Sequence, residues 1–341
     1  MITLPEKIES EILKLLNQSG SGSWVKNAAS LSLKYRTERS GNAKYIQSMG
    51  DVLAYLAVRS PSTYSQIYGA LTNVKELIPD FKPLSILDIG SGPGTAIWAA
   101  QEIFPSIKTG TAIDMDSNFI KVGEQIISAK PELKINWQTA NLGMSLSKFS
   151  GNFDLVIIGN VLNELDKKTA EKVLEFAVKC SRGIILITEP GTPYGYENIE
   201  YAAKVLVSPD NYLVAPYIDY KFINSDEINF AEKIKRPEFL KRVRHLQRKN
   251  EQSESDRLLP PSDWEESKYY YLAYSRTALS DRPKVRVIDK PKPLKPFVEL
   301  KLLTGQGVRI ERVFKKDRAK YKEAKKLKWG DIINSYFEKV V

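Results

Sequence analysis

Residues 85–96 read SILDIGSGPGTA, and they set the first chemical question. An apolar run leads into Asp88, and Gly90, Gly92 and Gly94 follow at alternate positions. Glycines in that pattern serve a turn that needs positive φ and lets a ligand lie against bare main chain. A dinucleotide fingerprint would space them G-x-G-x-x-G, with amides at a helix start aimed at a pyrophosphate. Here the third glycine comes one residue early, and Asp88 stands two residues before the first. A carboxylate beside the turn repels a diphosphate. It suits the cationic amino group of S-adenosylmethionine.

The next run, TGTAIDMD, puts Asp114 20 residues beyond Gly94, where a carboxylate at a strand end accepts ribose hydroxyls. The competing role for Asp114 is to cap the following helix, which Asp116 or Ser117 could do as well. QTANL (138–142) places Asn141 where it would meet an adenine, with a plain loop as the alternative. In FDLVIIGNVLNEL, Asp154 opens a strand and Asn160 emerges at its far end, so Asn160 and Glu164 are expected to line a pocket. Helix capping is the alternative for Asn163 and Glu164.

No catalytic group stands out. Methyl transfer is an in-line displacement that rests mainly on positioning. The Asn/Asp-Pro-Pro-aromatic signature of base-amino methyltransferases is replaced by GNVLNEL. Cys180 falls at a helix end, a place typical of a buried structural thiol. His245 lies in a basic run and reads as a surface or phosphate-facing residue. The pattern fits an acceptor activated by its own RNA context. It fits equally a core that binds without turnover.

These residues need a frame. Residues 1–80 carry helical spacing at Ile8, Ile12, Leu15 and Leu16, then at Tyr45, Met49, Val52, Leu53 and Leu56, with a helix break at Pro61. From 84 onward short apolar runs alternate with helical stretches: LSILDI, TGTAID, KINWQTA, FDLVIIGN and GIILITEP, with helices near 95–104, 117–128 and 168–180. That alternation predicts an α/β fold with a doubly wound, mostly parallel sheet. YYYLAYSR and PKVRVID are candidates to complete it. The polar stretch 250–263 reads as an exposed loop, and beyond 283 short strands between Pro and Gly turns predict a small β domain. The expected division is an N-terminal helical region (1–80), a central domain (81–280, with an insertion at about 209–263) and a basic C-terminal β domain (281–341).

The 341 residues contain one cysteine and one histidine, which excludes disulfides and a cysteine-held metal cluster. No apolar run approaches the roughly 20 residues of a membrane span. The acids Glu6, Glu9 and Glu11 make the N-terminus an amphipathic helix rather than a targeting signal. A reducing compartment, most simply bacterial cytoplasm, is expected. The net charge of +10 is uneven: residues 1–230 hold 22 Lys+Arg against 25 Asp+Glu, and residues 231–341 hold 29 against 16. An excess of +13 in the C-terminal third suits a polyanion, with a merely solvated surface as the alternative. KIKRPEFLKRVRHLQRK (233–249) contributes Lys241, Arg242, Arg244 and Arg248. VFKKDRAKYKEAKKLKWGD contributes Lys315, Lys316, Lys325, Lys326 and Lys328, interleaved with Phe314, Tyr321 and Trp329. Lysines neutralise phosphates and aromatics stack on unpaired bases, unless those rings pack inward.

LDIGSGPGTAIWAA, IIGNVLNEL and ITEPGTPYGY, with RSPSTYSQIYGAL before them and AKKLKWGD after, resemble the methyltransferase-like proteins of the small ribosomal subunit. The resemblance runs from about residue 35 to the end. It implies a class I S-adenosylmethionine-dependent methyltransferase core, with S-adenosylmethionine as cofactor and the small ribosomal subunit and its rRNA as partners. A monomer on the particle, with no membrane association, is expected. Carried over by motif, Asp88, Gly90, Ser91, Gly92, Gly94 and Asp114 hold the cofactor, and Glu189–Pro193 forms the rim of the site. The chain departs from the family where many members begin a set of four iron–sulfur cysteines, for VAPYIDYKF has Tyr217 at that place. The function so implied is methyl transfer to, or binding of, rRNA during subunit assembly or translation. A catalytically silent assembly factor that clamps RNA is the alternative, and a protein or small-molecule methyltransferase a third.

Overall fold

The computed structural model describes residues 1–19, 46–216, 230–241, 262–278, 285–304 and 307–333, together with Trp24, Val25, Asn27, Ala28, Leu31 and Arg244. The N-terminal part includes the helices α1 (Glu6–Gln18), α2 (Met49–Val58) and α3 (Ser60–Leu77), of which α1 is amphipathic and α2 is buried over most of its surface. α1 buries Ile8, Ile12, Leu15 and Leu16, one stripe of the three-and-four spacing. Ser48 caps α2 by accepting from the Asp51 amide. Pro61 sits in the first turn of α3, where a missing N–H leaves nothing unpaired. Tyr45 lies outside the described residues.

The main sheet is built from β1 (Ser85–Ile89), β2 (Thr109–Asp114), β3 (Lys134–Thr139), β4 (Phe153–Gly159) and β5 (Ser181–Pro190), all parallel. The helices α4 (Thr95–Ile103), α5 (Ser117–Ile127) and α6 (Lys167–Cys180) make the crossovers. Leu155–Ile158 of β4 and Ile184–Ile187 of β5 are buried throughout. Continuous apolar runs of this kind belong to strands covered on both faces.

α7 (Pro193–Leu206) follows β5 and leads to β6 (Tyr212–Ala215), β7 (Phe230–Lys235) and β8 (Trp264–Ser275). β8 runs antiparallel between β5 and β6, giving the order β3-β2-β1-β4-β5-β8-β6, and β7 pairs with the first half of β8. This is the class I S-adenosylmethionine-dependent methyltransferase fold, a mostly parallel sheet with its ligand edge at the strand C-termini.

A second, antiparallel sheet holds β9 (Val285–Val287), β10 (Lys292–Pro293), β11 (Phe297–Thr304), β12 (Gly307–Phe314) and β13 (Ile332–Ile333), with the short α8 (Arg318–Ala324) against it. Its own core includes Val287, Val298, Leu300, Leu302 and Val313. Of the two runs that were candidates to complete the main sheet, Trp264–Ser275 does so. PKVRVID does not: Val285–Val287 joins the small sheet, where Val285 and Val287 face its apolar core.

The two sheets share a packed junction. Ile288 and Leu303 join the main core, and Trp329 stacks on Phe230 at 6.2 Å and 27°. Arg286 is fully buried there and donates from Nη1 to the Gly330 carbonyl at 3.1 Å.

Candidate functional site

Beyond β1 the chain crosses the edge of the sheet with Gly90, Gly92 and Gly94 at φ +70°, +52° and +85°. L-residues adopt that region only at a cost, so the sequence must spend glycine here. The amides of Gly90 and Ser91 both donate to the Ile113 carbonyl, at 2.8 and 3.0 Å, which pins the turn to β2. The three glycines differ in what surrounds them. A Cβ on Gly90 would run into Val161, and one on Gly94 would stand 2.7 Å from Trp137 Cη2. A Cβ on Gly92 would meet nothing within 4 Å. Gly90 and Gly94 therefore admit neighbouring side chains, and Gly92 opens onto free space.

Asp88 is 1% exposed, and its Oδ2 has no hydrogen-bond partner. Burial, with the charge of Asp114 nearby, pushes its carboxyl up to about 8. A buried acid without a partner is costly, and a cationic group placed beside it would relieve that cost. Asp114 accepts from the Gly92 amide on Oδ2 (2.7 Å) and from the Asp116 amide on Oδ1 (2.9 Å). Burial raises it to about 6 against the pull of those amides. The helix-capping role belongs to Asp116, which accepts from Asn118 N at 2.7 Å. Each Asp114 oxygen keeps acceptor capacity that a pair of hydroxyls could use.

Ser91 is buried in the turn, with its hydroxyl on the Gly92 carbonyl at 3.3 Å. Asn141 is exposed past β3, where its Oδ1 accepts from Gly143 N at 2.8 Å. The intervening Ala140 amide donates to the Asp114 carbonyl, so the ends of β2 and β3 are held together.

At the end of β4, Asn160 takes a left-handed φ of 59°. Its Nδ2 donates to Gln66 Oε1 (2.9 Å) and Thr63 Oγ1 (3.2 Å), while its Oδ1 is buried without a partner. Gln66 in turn donates to Ser267 Oγ at 2.8 Å, so α3 ties the β4 exit to β8. Neither Asn163 nor Glu164 caps α6, a role Asp166 fills by accepting from Thr169 N. They lie in a short 3-10 turn, Leu162–Glu164, where Asn163 Oδ1 is another buried atom without a partner.

Glu189, expected at the rim, is instead fully buried at the end of β5. It accepts from Leu162 N (3.0 Å) and Asn198 Nδ2 (3.1 Å), and burial raises its carboxyl to about 8. It fastens the loop after β4 to α7. Sequence reasoning also missed Thr63, Gln66 and Tyr55. Tyr55 packs edge-on against Phe119 at 5.0 Å, and burial pushes its hydroxyl up to about 12 while it feels the charges of Glu164 and Asp114. The RSPSTYSQ motif was visible, but nothing local said that it faces Asn160.

The basic candidates separate into two groups. Lys241 pairs with Asp263 at 3.2 Å, and Arg244 grips Glu265 at 2.6 Å. Lys315, Lys316, Lys325, Lys326 and Lys328 are exposed. Arg242, His245, Arg248 and Tyr217 lie outside the described residues. The aromatics offered for base stacking divide as well: Trp329 packs on Phe230 and Tyr321 packs against the small core, whereas Phe314 stays 41% exposed. Cys180 is buried at the end of α6, and burial raises its thiol.

Among the described residues no cluster of His, Cys, Asp or Glu could hold a metal ion, and no helix is long and apolar enough to cross a membrane. The fit to S-adenosylmethionine rests on the geometry above: an unpartnered buried carboxyl, a backbone turn open at Gly92, and a strand-end acid with acceptor capacity left.

A family model described as "Mitochondrial small ribosomal subunit Rsm22" matches residues 49–334. Rsm22-cox11 tandem protein 2, mitochondrial, of Schizosaccharomyces pombe is 26% identical over 171 residues, 46% of this chain and 22% of the relative. Ribosome assembly protein METTL17, mitochondrial, of Homo sapiens is 23% identical over 151 residues, 42% of this chain and 32% of the relative. The matched part thus spans less than a third of either relative's length. Among solved structures, PKMT2 from Rickettsia typhi in complex with AdoHcy aligns at a TM-score of 0.31 and 19% identity, covering 42% of this chain and 28% of that one. A ribosomal protein L11 methylase from Lactobacillus delbrueckii subsp. bulgaricus aligns at 0.33 and 13%, covering 59% and 76%.

Proposed function

The chain belongs to the mitochondrial small ribosomal subunit Rsm22 family, and on that premise we propose that it binds S-adenosylmethionine and acts on small-subunit rRNA. The observation that carries the cofactor reading is Asp88: its buried Oδ2 lacks a partner, on the strand next to that of Asp114 and four residues before the open backbone of Gly92. When bound, S-adenosylmethionine supplies an electrophilic methyl group on a sulfonium. Asp88 would hold the ammonium of its amino-acid portion, and Asp114 its ribose hydroxyls. Gly92 leaves the cofactor in contact with main chain, while Asn141 stands at the β3 exit on the adenine side. Asn160 and the Glu189-fastened loop bound the place where an acceptor would enter.

The partner we assign is the small ribosomal subunit, held through phosphates by the exposed lysines around α8. The compartment we assign is bacterial cytoplasm, where a lone buried thiol needs no oxidative partner. One observation favours the silent-clamp reading: the Asn160 Nδ2 is already engaged by Gln66 and Thr63, so only its buried Oδ1 is left to meet an acceptor.

The experiment is a transfer assay with methyl-labelled S-adenosylmethionine on purified small-subunit particles. Label in rRNA supports the enzyme. Cofactor and particle binding without label supports the clamp. Failure to bind either one refutes both.

A further inference from the structure

The outer face of β11 and β12 differs from the rest of the surface. On β12, Val308, Ile310, Arg312 and Phe314 point away from the small core, and Val308, Ile310 and Phe314 are 41%, 53% and 41% exposed. Direct cross-strand pairing puts Phe297 opposite Phe314, Glu299 opposite Arg312 and Lys301 opposite Ile310. The two phenyl rings meet edge to face at 5.4 Å and 62°. The Arg312 guanidinium lies 5.0 Å from the Phe297 ring centre, and Lys316 Nζ stands 5.9 Å from that of Phe314. Among the described residues β12 pairs on one side only, so this face ends in an open edge.

An antiparallel sheet with rings and aliphatics outward invites either a protein or unpaired bases, and the charge decides between them. The described stretch 285–333 holds 15 Lys+Arg against 6 Asp+Glu. The acids beside the face are already answered: Glu299 by Arg312 at 3.2 Å and Glu311 by Arg309 at 3.6 Å. What is left toward solvent is apolar surface bordered by cations. A polyanion whose repeating units carry flat apolar faces matches both features at once.

Building on the reading that this chain binds rRNA, we propose that the β11–β12 face is a stacking platform for single-stranded RNA. Phe314, supported edge-on by Phe297, takes one base. Ile310 and Val308 underlie the next, and Lys315 and Lys316 meet the phosphates. This assigns the unpaired bases to the sheet face and leaves the α8 lysines to backbone contact alone.

The test uses the full chain and two fluorescent probes of equal length, a pyrimidine single strand and a duplex RNA, in binding titrations across a salt series. Phe314→Ala, at an exposed position, is expected to weaken single-strand binding about tenfold, the loss of one stacked base, with duplex affinity and salt slope unchanged. Phe314→Tyr should restore it, and Ile310→Lys should impair it despite the added charge. Lys315→Ala with Lys316→Ala should weaken both probes and flatten the salt slope. If the lysine pair weakens binding and Phe314→Ala does not, the platform fails while RNA binding stands. If the wild-type chain binds neither probe at low salt, the RNA reading itself fails. A dimer in sedimentation that Phe314→Ala dissolves would assign the face to a second copy and overturn the proposal.

Discussion

The Gly92 amide donates to Asp114 Oδ2 at 2.7 Å, so the acid at the end of β2 holds the glycine turn that follows β1. One carboxylate thereby shapes the cradle and offers its remaining acceptor sites to whatever the cradle holds. Asp114→Ala should lower S-adenosylmethionine affinity by at least about tenfold, since a hydrogen bond to a charged group contributes about 1.5–3 kcal/mol. Asp114→Asn, which can still accept from Gly92, should lose less. Calorimetric titration of both variants checks the order.

Asp88 makes stability depend on pH. Its carboxyl stands near 8 in the folded chain against an ordinary 3.8, so the folded state keeps a proton that the unfolded state gives up. Stability therefore falls as pH rises above about 4, and the loss is complete once pH passes about 8. Glu232, raised to about 7 mainly by burial, and Glu189 act in the same direction. Thermal melts from pH 5.5 to 8.5 should show a falling Tm in the wild type and a shallower fall in Asp88→Asn. Equal slopes in the two proteins would contradict this placement of the charge.

Gly92 and Gly94 should respond differently to alanine. Both sit at positive φ, which alone costs roughly 1–2 kcal/mol for an L-residue. At Gly94 the new methyl also meets Trp137, so Gly94→Ala should be the less stable variant by denaturant unfolding. At Gly92 the methyl enters open space, so Gly92→Ala should fold well and lose cofactor affinity instead. The two effects are separable by measuring the unfolding midpoint beside the binding constant.

The junction around Arg286 predicts that the chain melts as one unit. Arg286 is fully buried, and burial together with Glu232 raises Tyr269 well above its ordinary value, an effect the Arg286 charge opposes. Ile288 and Leu303 belong to the main core and Trp329 packs against it, so the small sheet, although it has a core of its own, is tied to the main one by shared apolar packing. Differential scanning calorimetry should show a single transition. Arg286→Ala should lower stability by about 1–3 kcal/mol, because it strands the buried Gly330 carbonyl. Two resolved transitions would mean that the sheets fold separately.

The sequence was most legible where chemistry is local. Three glycines around a turn, an acid before them and another at the next strand end are set within about thirty residues, and the backbone geometry they require has few alternatives. The buried apolar runs likewise announced a covered parallel sheet. What could not be read were partners brought together by folding. Asn160 and Gln66 are 94 positions apart in the chain, and Glu189 meets Leu162 across 27. Arg244 looked like a phosphate ligand in its basic run, yet Glu265 holds it. Trp329 looked like a base-stacking ring, yet Phe230 covers it. Spacing along a chain gives residue types a face. It does not say what the face meets.

The central claim is that this glycine turn, with Asp88 and Asp114, accepts S-adenosylmethionine. Isothermal titration of the full chain tests it most directly, with NADH as the competing ligand and Asp88→Asn as the paired variant. Saturable one-to-one binding of S-adenosylmethionine, unaffected by NADH and lost in Asp88→Asn, is the predicted result. No heat with S-adenosylmethionine, or its displacement by NADH, would contradict the account.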